Sequence, residues 1–280
     1  MKILTVVLLT YNHENSIADA FDSILEQKSN FDFDIFVCED CSTDGTADIC
    51  REYRERYPEK IKLFLNEKNL GVTQNLKQGL LRVKSKYFAF LDGDDYWCDM
   101  NKLQKQVDAL EQNPDCIICG HNTLCRNLEN QEKWLLINDS KFNLKTKYNL
   151  ADMFRVHPSS RVYRNVIDLT DVPANMLLDT HIYRLYLTKG CLFYINEVMS
   201  VFNRTGVGFW SGRSLKERKL MTLELCYQAN KYFKFKYDWK YYTTSKLLKM
   251  LKNIFGIKTG WFLFYHLEKL RLQVKYMMRK

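Results

Sequence analysis

The first third of the chain alternates short apolar runs with stretches in which apolar residues recur every three or four positions. An uninterrupted apolar run is typical of a strand buried on both faces, whereas the wider spacing predicts an amphipathic helix. Strands are predicted at residues 3–9, 33–38, 61–65 and 87–91, and helices at residues 16–27, 44–56 and 72–83. Strands separated by helices of this length predict βαβ units, a mostly parallel sheet and an α/β fold.

The rest of the chain follows a less regular pattern. It predicts helices at residues 102–112, 149–155 and 179–188, and strands at 115–120, 133–137, 161–163 and 192–195. From residue 214 onward, lysine, leucine, phenylalanine and tyrosine recur at helical spacing, which predicts a C-terminal helical extension. We therefore expect a main domain of residues 1–212 and an extension of residues 213–280.

The net charge of +9 is concentrated in that extension. Residues 214–280 hold 16 Lys and Arg against 4 Asp and Glu, a net +12, so the preceding part is mildly acidic. The charges either form a solvated face or belong to two basic amphipathic helices, near residues 246–255 and 261–275. Basic amphipathic helices bind anionic membrane surfaces. We expect a membrane-surface partner and, since no recognition motif accompanies the charge, no nucleic acid.

Two features bear on the compartment. Residues 1–11 resemble a short signal peptide, but no credible cleavage site follows, so we expect a buried first strand and a cytoplasmic chain. The nine cysteines are odd in number and form no framework, which favours a reducing compartment over a disulfide scaffold. Cys116, Cys119, His121 and Cys125 suggest zinc, but strand alternation sends Cys116 and Cys119 to opposite faces, so core thiols are favoured.

The main candidate for chemistry is the end of the fourth apolar run, where the carboxylates of Asp92, Asp94 and Asp95 follow Leu91. Carboxylates this close repel one another unless a cation lies between them. Ligands of open α/β sheets bind beyond the carboxyl ends of the strands. Polar clusters also follow the first three strands, at residues 10–12, 39–46 and 66–71. The four clusters together predict a pocket rim with a divalent-metal site.

In this order, the clusters resemble those of family 2 glycosyltransferases with the GT-A fold, a Rossmann-like sheet flanked by helices. The matching segments are Thr10-Tyr11-Asn12, Glu39-Asp40-Cys41-Ser42-Thr43-Asp44, Asn69-Leu70-Gly71, Leu91-Asp92-Gly93-Asp94-Asp95, Leu178-Asp179 and residues 205–211. The resemblance covers about residues 1–212. It implies an inverting transfer of a sugar from a UDP-sugar to a hydroxyl of a saccharide or lipid-linked saccharide. It also implies bacterial cell-surface glycan assembly. Together with the basic extension, it predicts peripheral association with the cytoplasmic face of the inner membrane.

The resemblance implies contacts with the donor. Tyr11 would stack on the base, and Thr10 would border it. Asp40 would accept the N3–H of uracil, which favours uridine because cytidine lacks that proton. The other residues expected to contact the nucleotide sugar are Asn12, Asn69, Gly71, Asp92 and Gly93.

The resemblance also implies the catalytic groups. Asp94 would be a direct ligand of Mg²⁺ or Mn²⁺, and Asp92 would bond the ribose or reach the metal. Asp95 would be either a carboxylate behind the metal or a helix N-cap, and the cap is favoured. Asp179 would be the general base, although an Asp before a helix is often an N-cap.

The chain departs from the family pattern at three places. Glu39 and Cys41 stand where Asp and Gly are usual. Many relatives have a His before the late glycine-rich loop, as a possible third metal ligand, whereas this chain has Thr205. Water or His157 could replace it, although a packing or backbone-bonded role is favoured for His157.

Two other classes remain open. A nucleotidyltransferase also uses strand-end carboxylates and a metal, but it usually has a Gly-rich basic loop after the first strand, which this chain lacks. A non-catalytic sugar- or membrane-binding module is the second alternative. The intact carboxylates of Asp40, Asp92, Asp94 and Asp179 disfavour it.

Overall fold

The computed structural model of the chain describes residues 2–138, 144–152, 154–177, 179–206, 212–234 and 260–271. The chain divides into two compact units, Met1–Arg204 and Thr205–Lys280. The domain boundary expected between residues 212 and 213 lies later in the chain than this division.

The first unit is built on a ten-stranded sheet. Its first four strands are β1 (Leu4–Thr10), β2 (Phe33–Glu39), β3 (Ile61–Leu65) and β4 (Tyr87–Asp92), all parallel and in the order β3-β2-β1-β4. Every residue of β1 and β2 is buried, so both faces of these strands are covered. The prediction of a parallel sheet from continuous apolar runs is confirmed for this part of the chain.

Helices connect these strands and cover the sheet. They are α1 (Ile17–Leu25), α2 (Thr46–Arg56) and α3 (Val72–Arg82), followed by α4 (Lys102–Gln112) and α5 (Asp179–Leu187). Helix α3 lies directly on β1 and β2, because a Cβ added at Gly79 would stand 2.8 Å from both Cys38 Sγ and Val7 Cγ1. A larger residue there would push the helix off the sheet.

The other half of the sheet mixes strand directions. Its strands are β5 (Tyr96–Trp97), β6 (Cys116–Asn127), β7 (Lys133–Leu135), β8 (Lys147–Tyr148), β9 (Val162–Arg164) and β10 (Cys191–Arg204). The order continues β4-β9-β6-β10-β5, with β7 on β6 and β8 on β10. Strand β9 is antiparallel to β4 and β6, whereas β6 and β10 are parallel. Strands β6 and β10 are both longer than predicted, because they pair with each other along most of their length.

Two predicted helical features are wrong. Instead of a helix at residues 149–155, Leu150–Asp152 forms a single 3₁₀ turn. The Asn149 and Asp152 side chains accept bonds from nearby backbone N–H groups, at 2.8 and 2.7 Å, which competes with helix formation. Asp95 is not an N-cap, since the short strand β5 follows it.

One pair of cysteines is bonded, whereas the sequence favours free thiols. Cys116 and Cys191 form a disulfide, although the sequence indicates no disulfide framework. They are partners in the parallel register at the start of β6 and β10. They stand 75 residues apart in the chain, so only the pairing of these strands brings them together. Cys119 and Cys125 are buried free thiols.

The second unit contains the helix α6 (Leu215–Tyr232) and a helix at residues 260–271. Ser214 and Glu217 form a reciprocal capping box at the start of α6. The two helices share a small core of Leu223, Cys226, Trp261, Phe264 and Tyr265. The helix predicted near residues 246–255 lies outside the described residues. Among the described helices, none combines the length and apolarity that crossing a bilayer requires.

Candidate active site

The candidate site lies where the four parallel strands end. In the parallel register Thr10 pairs with Glu39, Leu65 pairs with Glu39, and Leu9 pairs with Asp92. The loops that follow these strands therefore leave the sheet at the same edge, as predicted. This edge brings residues 10–12, 39–46, 66–71 and 92–95 into one region.

Asn12 joins the loops after β1 and β2. Its backbone N–H donates to Ser42 Oγ at 3.0 Å, and its Oδ1 accepts from the Thr43 N–H at 2.8 Å. Asn12 adopts a positive φ of 56°, a region that Asn tolerates better than most residues. The ring of Tyr11 is left 41% exposed beside this junction, so it is accessible for stacking. Asn12 is thus a structural tie between loops.

Asp40 joins the loop after β2 to the loop after β3. Its buried carboxylate accepts bonds from Asn66 Nδ2 at 2.9 Å, from the Leu70 N–H at 2.8 Å and from the Gly71 N–H at 2.9 Å. Gly71 has a φ of 79°, which suits glycine, and Asn69 Oδ1 also accepts from its N–H at 3.0 Å. The structure thus brings Asp40, Asn69 and Gly71 together.

The departures at residues 39 and 41 have a structural explanation. Cys41 has a φ of 59°, where a glycine would carry no strain. The buried Glu39 carboxylate accepts from the Cys41 and Ser42 N–H groups, at 3.1 and 2.7 Å. These two hydrogen bonds hold the turn with Cys41 at its positive φ, a conformation that a glycine would adopt without such support.

Gly93 is required by close packing at the same edge. A Cβ there would stand 2.7 Å from His13 Nδ1 and 2.9 Å from both Thr10 Oγ1 and Ile17 Cδ1. The Gly93 carbonyl accepts from Ser16 Oγ at 2.9 Å, and its N–H donates to the Leu9 carbonyl at 2.8 Å. The carboxylate segment is therefore packed against the loop after β1.

The three carboxylates of this segment interact electrostatically. Burial raises the pKa of Asp94, and a nearby His13 charge partly opposes the increase. Burial, with the Asp94 and Asp92 charges, raises the pKa of Asp95 well above its usual value. A divalent cation would stabilise the ionised forms of such a cluster.

Two of the three carboxylates suit a cation better than the third. Asp95 Oδ1 accepts from the Asn203 N–H at 3.1 Å, and its Oδ2 lies 3.8 Å from His157 Nδ1. Its oxygens are thus turned toward other residues. Among the described residues, three potential ligand atoms lie within 4.8 Å of one another only at Asp115, Cys116 and Cys191, where both cysteines are in the disulfide. The carboxylate segment thus offers Asp92 and Asp94, rather than all three aspartates.

The part of the chain that contains these loops matches a known protein family. The sequence profile of glycosyl transferase family 2 matches residues 5–168 of the chain. The chain belongs to glycosyl transferase family 2. The family predicted from the ordered polar clusters is confirmed, and the match includes the loops of β1 to β4.

Two relatives illustrate the sequence similarity to this family. The chain is 32% identical to the Mycobacterium tuberculosis protein Rv1520 over 224 residues, which cover 77% of this chain and 63% of that protein. It is 28% identical over 125 residues to an Escherichia coli protein, covering 45% of this chain and 47% of the other. That protein, WfgD, is named a UDP-Glc:alpha-D-GlcNAc-diphosphoundecaprenol beta-1,3-glucosyltransferase. The matched region spans less than two thirds of either relative.

Solved structures support the GT-A fold of the family 2 chain. The structure of S. aureus TarS residues 1–349 with UDP-GlcNAc superposes with a TM-score of 0.58 at 19% identity, covering 82% of this chain and 65% of the other. A Pyrobaculum calidifontis mannosyltransferase with GDP-Man and Mn²⁺ superposes with a TM-score of 0.59 at 16% identity, covering 92% and 72%. At these identities the similarity establishes the fold alone, and the predicted fold class is confirmed.

Asn203 and His157 also lie beside the carboxylate segment. The sequence assigns no role to Asn203 and disfavours His157 as a metal ligand. The Asn203 side chain donates to the Asp94 carbonyl at 2.9 Å, while its N–H binds Asp95. No local signal marks Asn203, because it lies about a hundred residues from these partners. His157 Nδ1 lies 2.7 Å from Ser159 Oγ and accepts from the Ser159 N–H, so the favoured backbone-bonded role is confirmed. It nevertheless lies beside Asp95.

Asp179 stands at the first position of α5. Its helix-start position agrees with the sequence, but its side chain lies outside the described residues, as does the loop at residues 207–211. The assignment of Asp179 as the general base therefore stays a prediction.

Proposed function

We propose that this family 2 member transfers a sugar from a UDP-sugar to a hydroxyl of a saccharide or lipid-linked saccharide. The observation that carries the proposal is the convergence of the Asp40 loop and the Asp92–Asp94 segment at the carboxyl edge of the parallel strands. A UDP-GlcNAc complex of a protein with the same fold and the diphosphate-linked acceptor in the name of WfgD support this substrate class.

The donor nucleotide is proposed to bind at the loops of β1 to β3. Tyr11 stacks on the base, with Thr10 beside it, and Asp40 accepts the uracil N3–H. Three donors already bind the Asp40 carboxylate, but two carboxylate oxygens offer about four lone pairs, so a further bond is possible. Asn12, Asn69, Gly71 and Gly93 shape the loops around the donor.

Asp92 and Asp94 fit a divalent cation, because they supply hard oxygen ligands beside the buried Asp95, whose pKa their charges help to raise. Mg²⁺ or Mn²⁺ is the proposed metal, and a structure with the same fold was determined with Mn²⁺. When bound, the cation neutralises charge on the departing diphosphate. The protein holds this segment in place through Gly93 and Asn203.

Asp179 is proposed to take the proton from the acceptor hydroxyl as that oxygen attacks the anomeric carbon. A single displacement of this kind inverts the configuration at that carbon. Helix α5 begins at Asp179, which places the residue at a helix terminus.

The second unit is proposed to bind the cytoplasmic face of an anionic membrane, where lipid-linked acceptors would be accessible. In the helix at residues 260–271, Phe262, Leu267 and Leu270 are 48%, 48% and 58% exposed. Lys269 and Arg271 lie on the same helix. Exposed apolar side chains with basic neighbours favour anionic bilayer surfaces.

A screen of nucleotide sugars tests the proposed function. The purified chain is incubated with UDP- and GDP-sugars, with and without Mn²⁺, and thermal stabilisation and sugar release are measured. We expect UDP-sugars with Mn²⁺ to raise the melting temperature and to be hydrolysed slowly. Stabilisation by nucleoside triphosphates with release of pyrophosphate would favour a nucleotidyltransferase. Binding without any turnover, even with saccharide acceptors, would favour a non-catalytic module.

A further inference from the structure

A row of polar side chains extends from the carboxylate segment across three strands of the sheet. Asn203 of β10, which binds the Asp94 carbonyl, pairs in register with Arg126 of β6. Arg126 pairs in turn with Lys133 of β7. Residues paired in register point to the same face of a sheet, and neighbouring strands lie about 4.8 Å apart. Asn203, Arg126 and Lys133 thus form a row, called here the basic row, that begins beside Asp94.

Arg126 is half-buried and has no negatively charged partner among the described residues. Its Nε is buried and has no hydrogen-bond partner among the described residues. Its Nη2 donates to Gln131 Oε1 at 3.3 Å, which is a long bond to a neutral group. In the part of the chain that the structure describes, no carboxylate lies within ion-pair distance of Arg126. A buried donor without a partner is unfavourable, and an anion bound to this edge of the guanidinium would satisfy it.

Asn203, at the next position of the row, also has a buried polar atom without a described partner, but this atom is an acceptor and requires a donor rather than an anion. Its Nδ2 and N–H bind the carboxylate segment, but its Oδ1 is buried without a partner among the described residues. Lys133 is exposed at the far end of the row.

We propose that Arg126, assisted by Lys133, binds a phosphate group of a substrate. The planar guanidinium donates two parallel bonds to phosphate oxygens, which makes Arg suited to this ligand. The phosphate belongs either to the diphosphate of the donor or to a phosphate-bearing acceptor. In the second case the basic row selects phosphate-linked saccharides over neutral ones. The inference rests on the proposed sugar transfer, since that reaction brings both kinds of phosphate to this edge.

Calorimetric titrations of the full chain distinguish the two sources. One arm titrates UDP in the presence of Mn²⁺. The other titrates N-acetylglucosamine 1-phosphate with and without UDP, and N-acetylglucosamine serves as the phosphate-free probe. The proteins compared are the unmodified chain, Arg126→Gln, Arg126→Lys and Arg204→Gln. Arg204 follows Asn203 in β10 and faces the opposite side, so its variant removes the same charge outside the basic row.

We expect Arg126→Gln to lower the affinity for one phosphate probe by tenfold or more. The affinity should recover in part in Arg126→Lys and should not change in Arg204→Gln. A loss confined to UDP identifies the donor diphosphate, whereas a loss confined to the sugar phosphate identifies the acceptor. Unchanged binding of both probes by a folded Arg126→Gln variant overturns the inference. If that variant does not fold, the exposed Lys133→Gln provides the same comparison, with a loss of about threefold expected.

The experiment distinguishes a failure of the proposed sugar transfer from a failure of the phosphate-binding role of Arg126. An unmodified chain that binds no UDP contradicts the proposed donor, while the sugar-phosphate titration without UDP still tests Arg126. A chain that binds UDP and transfers sugar, with no effect of Arg126→Gln on either probe, leaves the proposed function intact and removes the basic row from it.

Discussion

The carboxylate of Asp40 accepts a hydrogen bond from the backbone N–H of Gly71 at 2.9 Å and so joins two loops that are 31 residues apart in the chain. The same carboxylate binds the Leu70 N–H and Asn66. One buried acceptor therefore holds the loop after β3 against the end of β2. Asp40 shapes the edge of the sheet as well as being a candidate contact for the base.

We expect Asp40→Asn to destabilise the chain and to weaken UDP binding. An amide N–H₂ would face a backbone N–H in place of an acceptor, and a buried donor left unsatisfied costs about 1–3 kcal/mol. Urea unfolding gives the stability, and calorimetry gives the UDP affinity. Asp108→Asn, the same chemical change at an exposed position of α4, is the matched control. Normal stability with lost UDP affinity would show that Asp40 acts on the base alone.

Asp94→Asn should abolish metal-dependent turnover and stabilise the metal-free chain. The pKa of Asp94 is raised by burial, so ionisation costs folding free energy and stability falls as the pH rises through the shifted pKa. The neutral amide removes that cost and lowers the repulsion on Asp95. Melting temperature without metal at neutral pH and turnover with Mn²⁺ are the two measurements. Asp48→Asn, at an exposed position of α2, is the control. An undiminished metal-dependent rate would refute the ligand role.

Asp179→Asn should leave UDP binding almost unchanged and reduce turnover by a factor of about a hundred or more. A general base contributes to the chemical step rather than to donor binding. Steady-state kinetics and UDP calorimetry on the same preparation separate the two. Equal losses of affinity and turnover, accompanied by a lower melting temperature, would identify Asp179 as a structural cap of α5.

The fully buried Lys102 should make stability depend on pH. Its Nζ donates to Gln106 Oε1 at 2.6 Å and lies 4.1 Å from the Trp97 ring centre, and burial lowers its pKa to about 7. An unfolded lysine titrates near pH 10.4, so the unfolded chain binds more protons between these values. The free-energy cost of burying the charged lysine is therefore complete below about pH 7, and it shrinks as the pH rises.

Urea unfolding of Lys102→Met at pH 6.5 and pH 9 measures this contribution. Relative to the unmodified chain, the variant should gain more stability at pH 6.5 than at pH 9, by on the order of a few kcal/mol. Lys105→Met is the matched control, since hydrogen bonds to Asp99 and Glu197 raise the pKa of that lysine. A stability difference that is the same at both pH values would contradict a charged, buried Lys102.

Vesicle sedimentation tests the membrane proposal. Replacing Leu267 and Leu270 with Gln should release the chain from anionic vesicles, because both side chains are exposed next to basic residues. Leu65→Gln, at a 42% exposed position of β3, should have no effect. Binding that is lost only in high salt and is insensitive to the leucine changes would indicate a charge interaction without insertion.

The sequence could predict those parts of the site that depend on neighbouring strands and local loops. Continuous apolar runs predicted β1 to β4, and the polar residues after each run predicted the common edge, because parallel strands joined by helices end on the same side. The family followed from the same ordered clusters. The side chain of Asp179 lies outside the described residues, so its role still depends on the sequence.

The tertiary structure alone decided the contacts made across long chain separations. Asn203 reaches Asp94 and Asp95, Cys191 reaches Cys116, and Arg126 stands beside Asn203. These partners depend on the register of β10 with β6 and on the path of residues 93–97 to the far edge of the sheet. Register is a property of two strands together, and a shift of one residue would turn each side chain to the opposite face. Local sequence patterns therefore do not predict the register of β10 with β6.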